Sequence, residues 1–215
     1  MERVFEVIAC SLEDAIAAQD GGADRIEVCS RLDLQGITPD VDMVAAILDA
    51  VDIPVRVMIR SGEGFSLQSE ESDVQGFADL PIDGIIFGLL DSKNRLDFPA
   101  MDTVLRRTQR GWGWTLHRAF DYAAGSVEEK LAAVVAHGRA DHILTGDHWR
   151  LPPPYGMQFI AGGGLSAANI GEYLASPCRE FHFGRAVRSP EETTAPVDVE
   201  KVRSLAMRLN RMTLA

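Results

Sequence analysis

Long apolar runs, basic clusters and paired cysteines are all missing from this chain. No run approaches the ~18 residues that a membrane-spanning helix requires, so none is expected. The first fifteen residues lack a basic stretch followed by a long apolar segment, so no secretory leader is expected either. Lys and Arg number 21 against 32 Asp and Glu, a net charge of −11. A protein that grips a nucleic-acid backbone needs clustered cations to displace counterions, so nucleic acid is excluded as a general partner. An anionic membrane surface is disfavoured for the same reason. Any anionic ligand must then be held by a local site rather than by overall charge. Cysteine is sparse and odd in number: Cys10, Cys29 and Cys178, with no Cys-x-x-Cys. That pattern fits reduced thiols in the cytoplasm rather than a disulfide framework. Internal repeats and low-complexity segments are absent as well.

What is present is alternation. Short apolar runs at 4–9, 25–29, 55–60, 84–89, 112–117, 142–145, 158–161 and 180–183 read as eight strands, with helical patterns between them. Strands that alternate with helices imply βαβ units and a parallel sheet. The expected architecture is a TIM-type (β/α)8 barrel, one domain over 1–215, although such barrels usually run to about 250 residues. Several helix starts are signed. Ser11 precedes Leu12-Glu13-Asp14, Thr38 precedes Pro39, Ser126-Val127-Glu128-Glu129 has the form of a capping box, and Ser166 stands before a run towards Leu174. Gly21-Gly22 ends the first helix, and a last helix at 197–209 closes the ring. One connection breaks the pattern. Residues 146–156 contain Pro152-Pro153-Pro154, which no helix interior tolerates. A helical crossover needs roughly a dozen residues. The outer helix between strands 6 and 7 is therefore expected to be missing. The gap would expose apolar strand surface, which points to a homodimer or higher homo-oligomer.

Alternate residues of a barrel strand face inward. That parity groups Glu6, Ile8 and Cys10; Glu27 and Cys29; Arg56, Met58 and Arg60; Thr115 and His117; and Glu180, His182 and Gly184. Glu6, Glu27, Arg60, His117 and His182 then converge at one end of the barrel. Charges inside strands are costly unless paired or functional. They form either an ion network that fills the barrel or a polar pocket at the C-terminal ends of the strands, where barrel sites lie. Two chemistries compete in such a pocket. Carboxylates with histidine do acid–base work if burial moves their pKa values towards neutrality. Cys10 and Cys29, on neighbouring strands, suit a soft cation such as Cu(I), or Zn(II), with His117 or His182 as a further ligand. Cys178 lies at the opposite end. His137, His142 and His148 read as surface residues.

Ala161-Gly162-Gly163-Gly164 follows the seventh strand, and Gly184-Arg185-Ala186 follows the eighth. These two loops commonly hold phosphate in barrels, through backbone N–H groups. Gly162, Gly163, Gly164, Gly184 and Arg185 are the anion-site candidates, with Arg185 supplying a fork of donors. The alternative is that the glycines only permit tight turns.

Several segments, taken in order, resemble one family. Gly22-Ala23-Asp24-Arg25-Ile26-Glu27-Val28-Cys29-Ser30 is similar to the GADRIELCS segment of the CutC copper homeostasis family. Gly36-Ile37-Thr38-Pro39 is similar to its GLTP, Val57-Met58-Ile59-Arg60 to its VMIR, and Gly84-Ile85-Ile86-Phe87-Gly88 to its GVVFG. Thr115-Leu116-His117-Arg118-Ala119-Phe120-Asp121 is similar to TFHRAFD, Ile143-Leu144-Thr145 to RILT, and Gly162-Gly163-Gly164 to GGG. The resemblance implies a cytoplasmic, commonly oligomeric TIM-type barrel. It implies Glu6, Glu27, Arg60, His117, Arg118 and Asp121 as cavity residues, and a role in copper binding or tolerance. The chain also departs from the family. Ile8 stands where many members have a first-strand cysteine, Ser61-Gly62-Glu63-Gly64-Phe65 replaces a Pro-Arg segment, and the sixth helix is lost. The two expected roles are thus a Cu(I) binder through Cys29 and Cys10, and an enzyme for a small phosphorylated or anionic molecule.

Overall fold

Eight short strands pair only in parallel, each with its sequence neighbour, and the last returns to the first. They are β1 Val4–Ala9, β2 Arg25–Val28, β3 Val55–Met58, β4 Gly84–Phe87, β5 Gly113–Leu116, β6 His142–Thr145, β7 Gln158–Ala161 and β8 Glu180–Phe183. The helices are α1 Leu12–Gly21, α2 Val41–Ala50, α3 Glu70–Gly76, α4 Phe98–Leu105, α5 Ala119–Tyr122, α6 Val127–His137, α7 Ile170–Leu174 and α8 Val199–Arg211. This computed structural model describes residues 3–154 and 156–211; the ends of the expected 1–215 domain, residues 1–2 and 212–215, lie outside the described residues. The architecture is the expected TIM-type (β/α)8 barrel.

Period-2 parity accounts for its two cores. Phe5, Val7, Ile26, Val28, Val57, Ile85, Phe87, Leu116, Phe159, Phe181 and Phe183 point outward and pack under the helices in one apolar shell. Their inward neighbours are polar or small, apart from Leu144, Ile160 and a separate cluster of Ile8, Cys29, Met58 and Ile86 inside the barrel. The outer shell supplies the hydrophobic stabilisation, and the interior is left free for chemistry.

Local chemistry sets the helix starts, with two corrections. Ser11 caps α1 by accepting from the Asp14 N–H, and the Ser126–Glu129 capping box is complete. Helix α2 starts two residues later than Thr38-Pro39 suggests, because the Asp40 carboxylate takes the Asp42 and Met43 N–H groups. Thr38 is used elsewhere: its hydroxyl accepts from the Arg60 N–H (2.9 Å) and donates to the Arg60 carbonyl (3.1 Å). Ser166 does not cap α7; the helix begins after Asn169, whose side chain accepts from the Ser166 N–H at 2.8 Å.

No helix lies between β6 and β7 among the described residues. The expected exposure of apolar strand surface does not follow. Ile143, Phe159 and Ala161 are buried, in one apolar cluster with Trp149 of the shortened crossover. Its plug is Trp149. The indole stacks on Tyr173 at 3.9 Å and 26°, carries Arg150 over it at 3.9 Å, and donates Nε1–H to the Gly146 carbonyl at 3.1 Å. The missing helix therefore gives no reason of its own for a partner subunit. No described helix is long and apolar enough to cross a membrane.

Trp149→Ala should cost roughly 3–5 kcal/mol, the range for truncating a buried large aromatic. Urea unfolding of the variant measures this. A loss below about 1 kcal/mol would mean that the plug is not what seals the gap.

Candidate functional site

The inward side chains form two levels. At the lower level, towards the N-terminal ends of the strands, charges pair completely. Glu6 accepts from Arg25 Nε at 2.5 Å and faces His182 Nδ1 at 2.7 Å. Arg25 also reaches Glu180 (2.7 Å), Glu180 meets His142 Nε2 (3.1 Å), and Arg56 joins Asp83 (2.8 Å), Asp141 (2.9 Å) and Thr115 (2.6 Å). Burial opposes charge on Glu6, but Arg25 and His182 outweigh it and hold the carboxyl well below the usual carboxylate range. His182 and His142 are shifted the other way: burial favours their neutral forms, and the facing carboxylates overcome it. His142 is thus a member of the interior network rather than a surface residue.

One level higher the accounting changes. Register sets Glu27 beside Ile8 and Arg25 beside Glu6, so Glu27 stands above the network. Its Oε2 is buried with no hydrogen-bond partner, and the nearest cationic atom is His182 Nδ1 at 3.8 Å. Burial, opposed by His182 and reinforced by Glu6, pushes the carboxyl up to about 7. Glu27 lines a cavity of about 470 Å³ that opens at the C-terminal ends of the strands.

The other walls carry donors. Arg60, Arg118, His117, His182 and Arg185 line the cavity with Gly163, Gly164 and Gly184. Burial, reinforced by the Arg60 charge, drives His117 down to about 3, so the ring is neutral. Its Nδ1 accepts from the Ala119 N–H at 3.2 Å, which assigns the ring hydrogen to Nε2. Asp121 lies behind this wall as a brace. It binds Arg118 Nε (2.9 Å), Thr145 Oγ1 (2.5 Å) and the Gly146 N–H (2.8 Å). Arg118 is thereby stretched against the loop after β7, where a Cβ on Gly163 would lie 3.2 Å from Gly146 Cα and 3.6 Å from the guanidinium. Gly163 and Gly164 have φ of +84° and +105°, which favours glycine there.

Glu6, Asp121 and Gly162 do not line the cavity. The first two are consumed by ion pairs, and Gly162 packs so tightly that a Cβ would meet the Leu144 side chain at 2.6 Å. Cys10 and Cys29 also lie off the cavity, in the apolar cluster with Met58 and Ile8. Their sulfurs are 3.9 Å apart. The sulfur–sulfur hydrogen bond and Arg188 lower the Cys10 pKa against the effect of burial; that same bond and burial raise that of Cys29. Neither histidine joins them: among the described residues, Glu6, Glu27 and His182 are the one cluster of three or more His, Cys, Asp or Glu ligand atoms.

With this geometry in place, comparison with known proteins is informative. A sequence model of the CutC family matches residues 3–150. The chain belongs to the CutC family. A family protein CutC of Xanthomonas campestris pv. campestris (strain B100) is 32% identical over 239 residues, covering 95% of this chain and 98% of the relative. One from Xylella fastidiosa (strain Temecula1) is 34% identical, covering 83% and 73% respectively. Among solved structures, a Streptococcus agalactiae protein named as a copper homeostasis CutC superposes with a TM-score of 0.73 at 24% identity, covering 84% of this chain and 97% of that one. The CutC match ends at residue 150, inside the shortened crossover. The Xanthomonas alignment is longer than this chain, so its CutC relative carries residues that this one lacks.

Wall residues that escaped sequence reasoning include Gln35, Phe65, Glu191 and Thr193. These four lie on loops, where no periodicity marks orientation. Phe65 alone carried a signal, as the aromatic of a glycine-rich segment directly after an inward arginine.

The Glu27 carboxyl is uncharged in both folded and unfolded chains at about pH 4. Above its ordinary value of 4.5 the unfolded chain releases the proton, while the folded protein keeps it to about 7. Wild type therefore loses stability as pH rises through that window, and Glu27→Gln does not. The variant should match wild type near pH 4 and exceed it by about 3 kcal/mol near pH 8. Urea unfolding at both pH values checks this; a variant no more stable than wild type at the higher pH would contradict it.

Proposed function

We propose that this CutC protein is an enzyme that moves a proton on a small anionic, phosphorylated molecule bound in the barrel mouth. The observation that carries this reading is the Glu27 Oε2 atom, buried and unpartnered at the floor of the cavity. An orphaned buried carboxylate oxygen is costly to keep, and a native fold that keeps one points to a role met by a ligand. Glu27 is the proton-transferring group, with a pKa near neutrality that serves either direction of transfer. His117, neutral and hydrogenated on Nε2, is a donor to an oxygen on which charge develops. Gly163, Gly164, Arg118 and Arg185 hold the phosphate. Arg185 is exposed and lines the cavity, and its side chain makes no ion pair or hydrogen bond among the described residues, which leaves its fork open to a ligand.

Thermal unfolding with inorganic phosphate and glycerol 3-phosphate tests the anion site. At about 100 times its dissociation constant a ligand adds about 2.7 kcal/mol, or roughly 5–10 °C for a chain of this size. Arg185→Ala should abolish the shift and Cys29→Ala should leave it intact. No shift with either anion, or a shift indifferent to Arg185, would remove the phosphate from this reading.

A second reading rests on a separate observation, the 3.9 Å between Cys10 and Cys29 sulfurs. A soft cation about 2.3 Å from each of two thiolates needs them roughly 3.8–4.6 Å apart. Met58 adds a thioether to the same cluster, and sulfur donors select Cu(I). On this reading the family's copper role reaches this chain through Cys10 and Cys29, with Cys10 the sulfur open to entry. Anaerobic Cu(I) competition against a calibrated chelator should give one tight site that Cys29→Ala loses and Arg185→Ala keeps. Binding indifferent to Cys29 would end this reading.

A further inference from the structure

Arg60 stands apart from every other buried arginine in the barrel. Arg25, Arg56 and Arg188 each meet a carboxylate within 3.0 Å. Arg60 is 8% exposed and has no ion pair within 4.0 Å among the described residues. Its Nη1 donates to the carbonyls of Leu34 and Gln35 at 3.3 Å and Gly36 at 3.4 Å, and its Nε to the Gly64 carbonyl at 3.3 Å. These four neutral acceptors orient the guanidinium but do not neutralise it. Nη2 makes no hydrogen bond, yet it is not among the atoms sealed from solvent; Arg60 lines both the main cavity and a smaller one beside Glu63 and Tyr122. The neighbouring acids act on it only at a distance, without an ion pair. Glu70 spends both oxygens on the Ser61 and Gln68 N–H groups, and Glu63 is exposed.

A guanidinium with no charge partner and a free donor edge at a cavity is suited to an anion, which would supply the missing charge. The surroundings specify what kind. His117 lines the same cavity with its hydrogen on Nε2, and Phe65 packs over the Arg60 guanidinium at 5.2 Å and edge-on to His117 at 5.3 Å. The ring keeps this corner dry, which strengthens charge-assisted bonds inside it. Arg60 itself is rigid, because Thr38 pins its backbone on both sides. Two groups of donors, Nη2 and the imidazole Nε2–H, suit the two oxygens of a planar carboxylate. Arg118 reaches the glycine loop, and Arg185 follows β8, on the far side of β1 from β3 and Arg60.

We propose that Arg60 and His117 form a second anion subsite that takes the carboxylate of the same ligand, so that the ligand is a phosphorylated carboxylic acid of a few carbons. The inference rests on the phosphate-binding reading given above, and it adds a charge at the other end of the molecule. Glu27 on the floor then faces the carbon skeleton between the two anions.

The test is calorimetric titration of wild type with phosphoglycolate, 3-phosphoglycerate and glycerol 3-phosphate. The last of these has the phosphate without the carboxylate. One charge-assisted contact to Arg60 should make a carboxylate-bearing probe bind about ten to a hundred times more tightly than glycerol 3-phosphate. Arg60→Lys, which keeps the charge and loses the fork, should erase most of that preference and leave glycerol 3-phosphate binding unchanged. Arg185→Ala should weaken all three alike. If Arg60→Lys does not fold, His117→Asn must reduce the same preference. Equal binding of all three probes by wild type overturns the carboxylate subsite and leaves the phosphate reading standing. A preference that survives Arg60→Lys or His117→Asn overturns the assignment to these residues. If no phosphate probe binds, the phosphate reading fails, and malonate decides the subsite separately: binding lost in Arg60→Lys supports it, and no malonate binding ends it.

Discussion

One carboxylate, that of Glu6, holds the interior of the barrel together. It lies between Arg25 at 2.5 Å and His182 at 2.7 Å, and so ties strands β1, β2 and β8 from the inside. Around it the charges pair: buried Glu6 and Glu180, half-buried Asp141 and exposed Asp83 meet Arg25, Arg56, His142 and His182, each in contact with at least one opposite charge. Buried ions are tolerated only on such terms. One level higher Glu27 lacks such pairing: its Oε2 has no hydrogen bond, and His182 at 3.8 Å is bound more closely to Glu6. Burial therefore raises its pKa towards neutrality. The free donor edge of Arg60 is the opposite case, a cation without an ion pair lining the same cavity.

Much of this was legible in the residue order. The strands emerge from short apolar runs, and their inward faces from parity alone, because a strand has a period of two and a barrel has one inside. Parity gives the face but not the height. Glu6 and Glu27 look equivalent on that basis, both single acids on inward faces of adjacent strands. The register between β1 and β2 separates them, by setting Arg25 against Glu6 and Glu27 against Ile8. Register in a closed barrel depends on the stagger of all eight strands, which no single segment encodes. The same limit explains Cys10 and Cys29, which share the inward face but pack into an apolar cluster beside the cavity. His142 was misjudged because it opens its strand, where position along the barrel decides between surface and interior.

The shortened crossover shows a different limit. Three prolines state clearly that no helix follows β6. They do not state what covers the strands instead. The answer is a single indole held by a stack, a cation and a hydrogen bond. An aromatic residue in an irregular loop has no periodicity, so its burial cannot be read from the order of residues. The loss of the helix is thus a local repair, confined to the outer ring, and the inward faces of β6 and β7 keep their place in the cavity wall through Leu144 and the glycine loop.

The two chemistries that the residues suggest are neighbours rather than rivals for one space. Ile8 and Met58 belong both to the cavity wall and to the apolar cluster around the thiols. A cation between the sulfurs would sit behind that wall, and a ligand in the cavity would sit in front of it. Hard and soft donors are sorted accordingly: carboxylates, imidazoles and guanidiniums face the opening, while both thiols and the thioether share the greasy layer. Occupancy of one compartment does not require the other to be empty. The Ile8–Met58 wall is nevertheless thin and close-packed, and interiors of that density transmit small shifts. Any movement of Cys29 against Gly36, where a Cβ would already approach the sulfur to 3.2 Å, would press on the loop that supplies three of the four carbonyls holding Arg60. The thiol layer and Arg60 are therefore joined through one short segment, Leu34, Gln35 and Gly36.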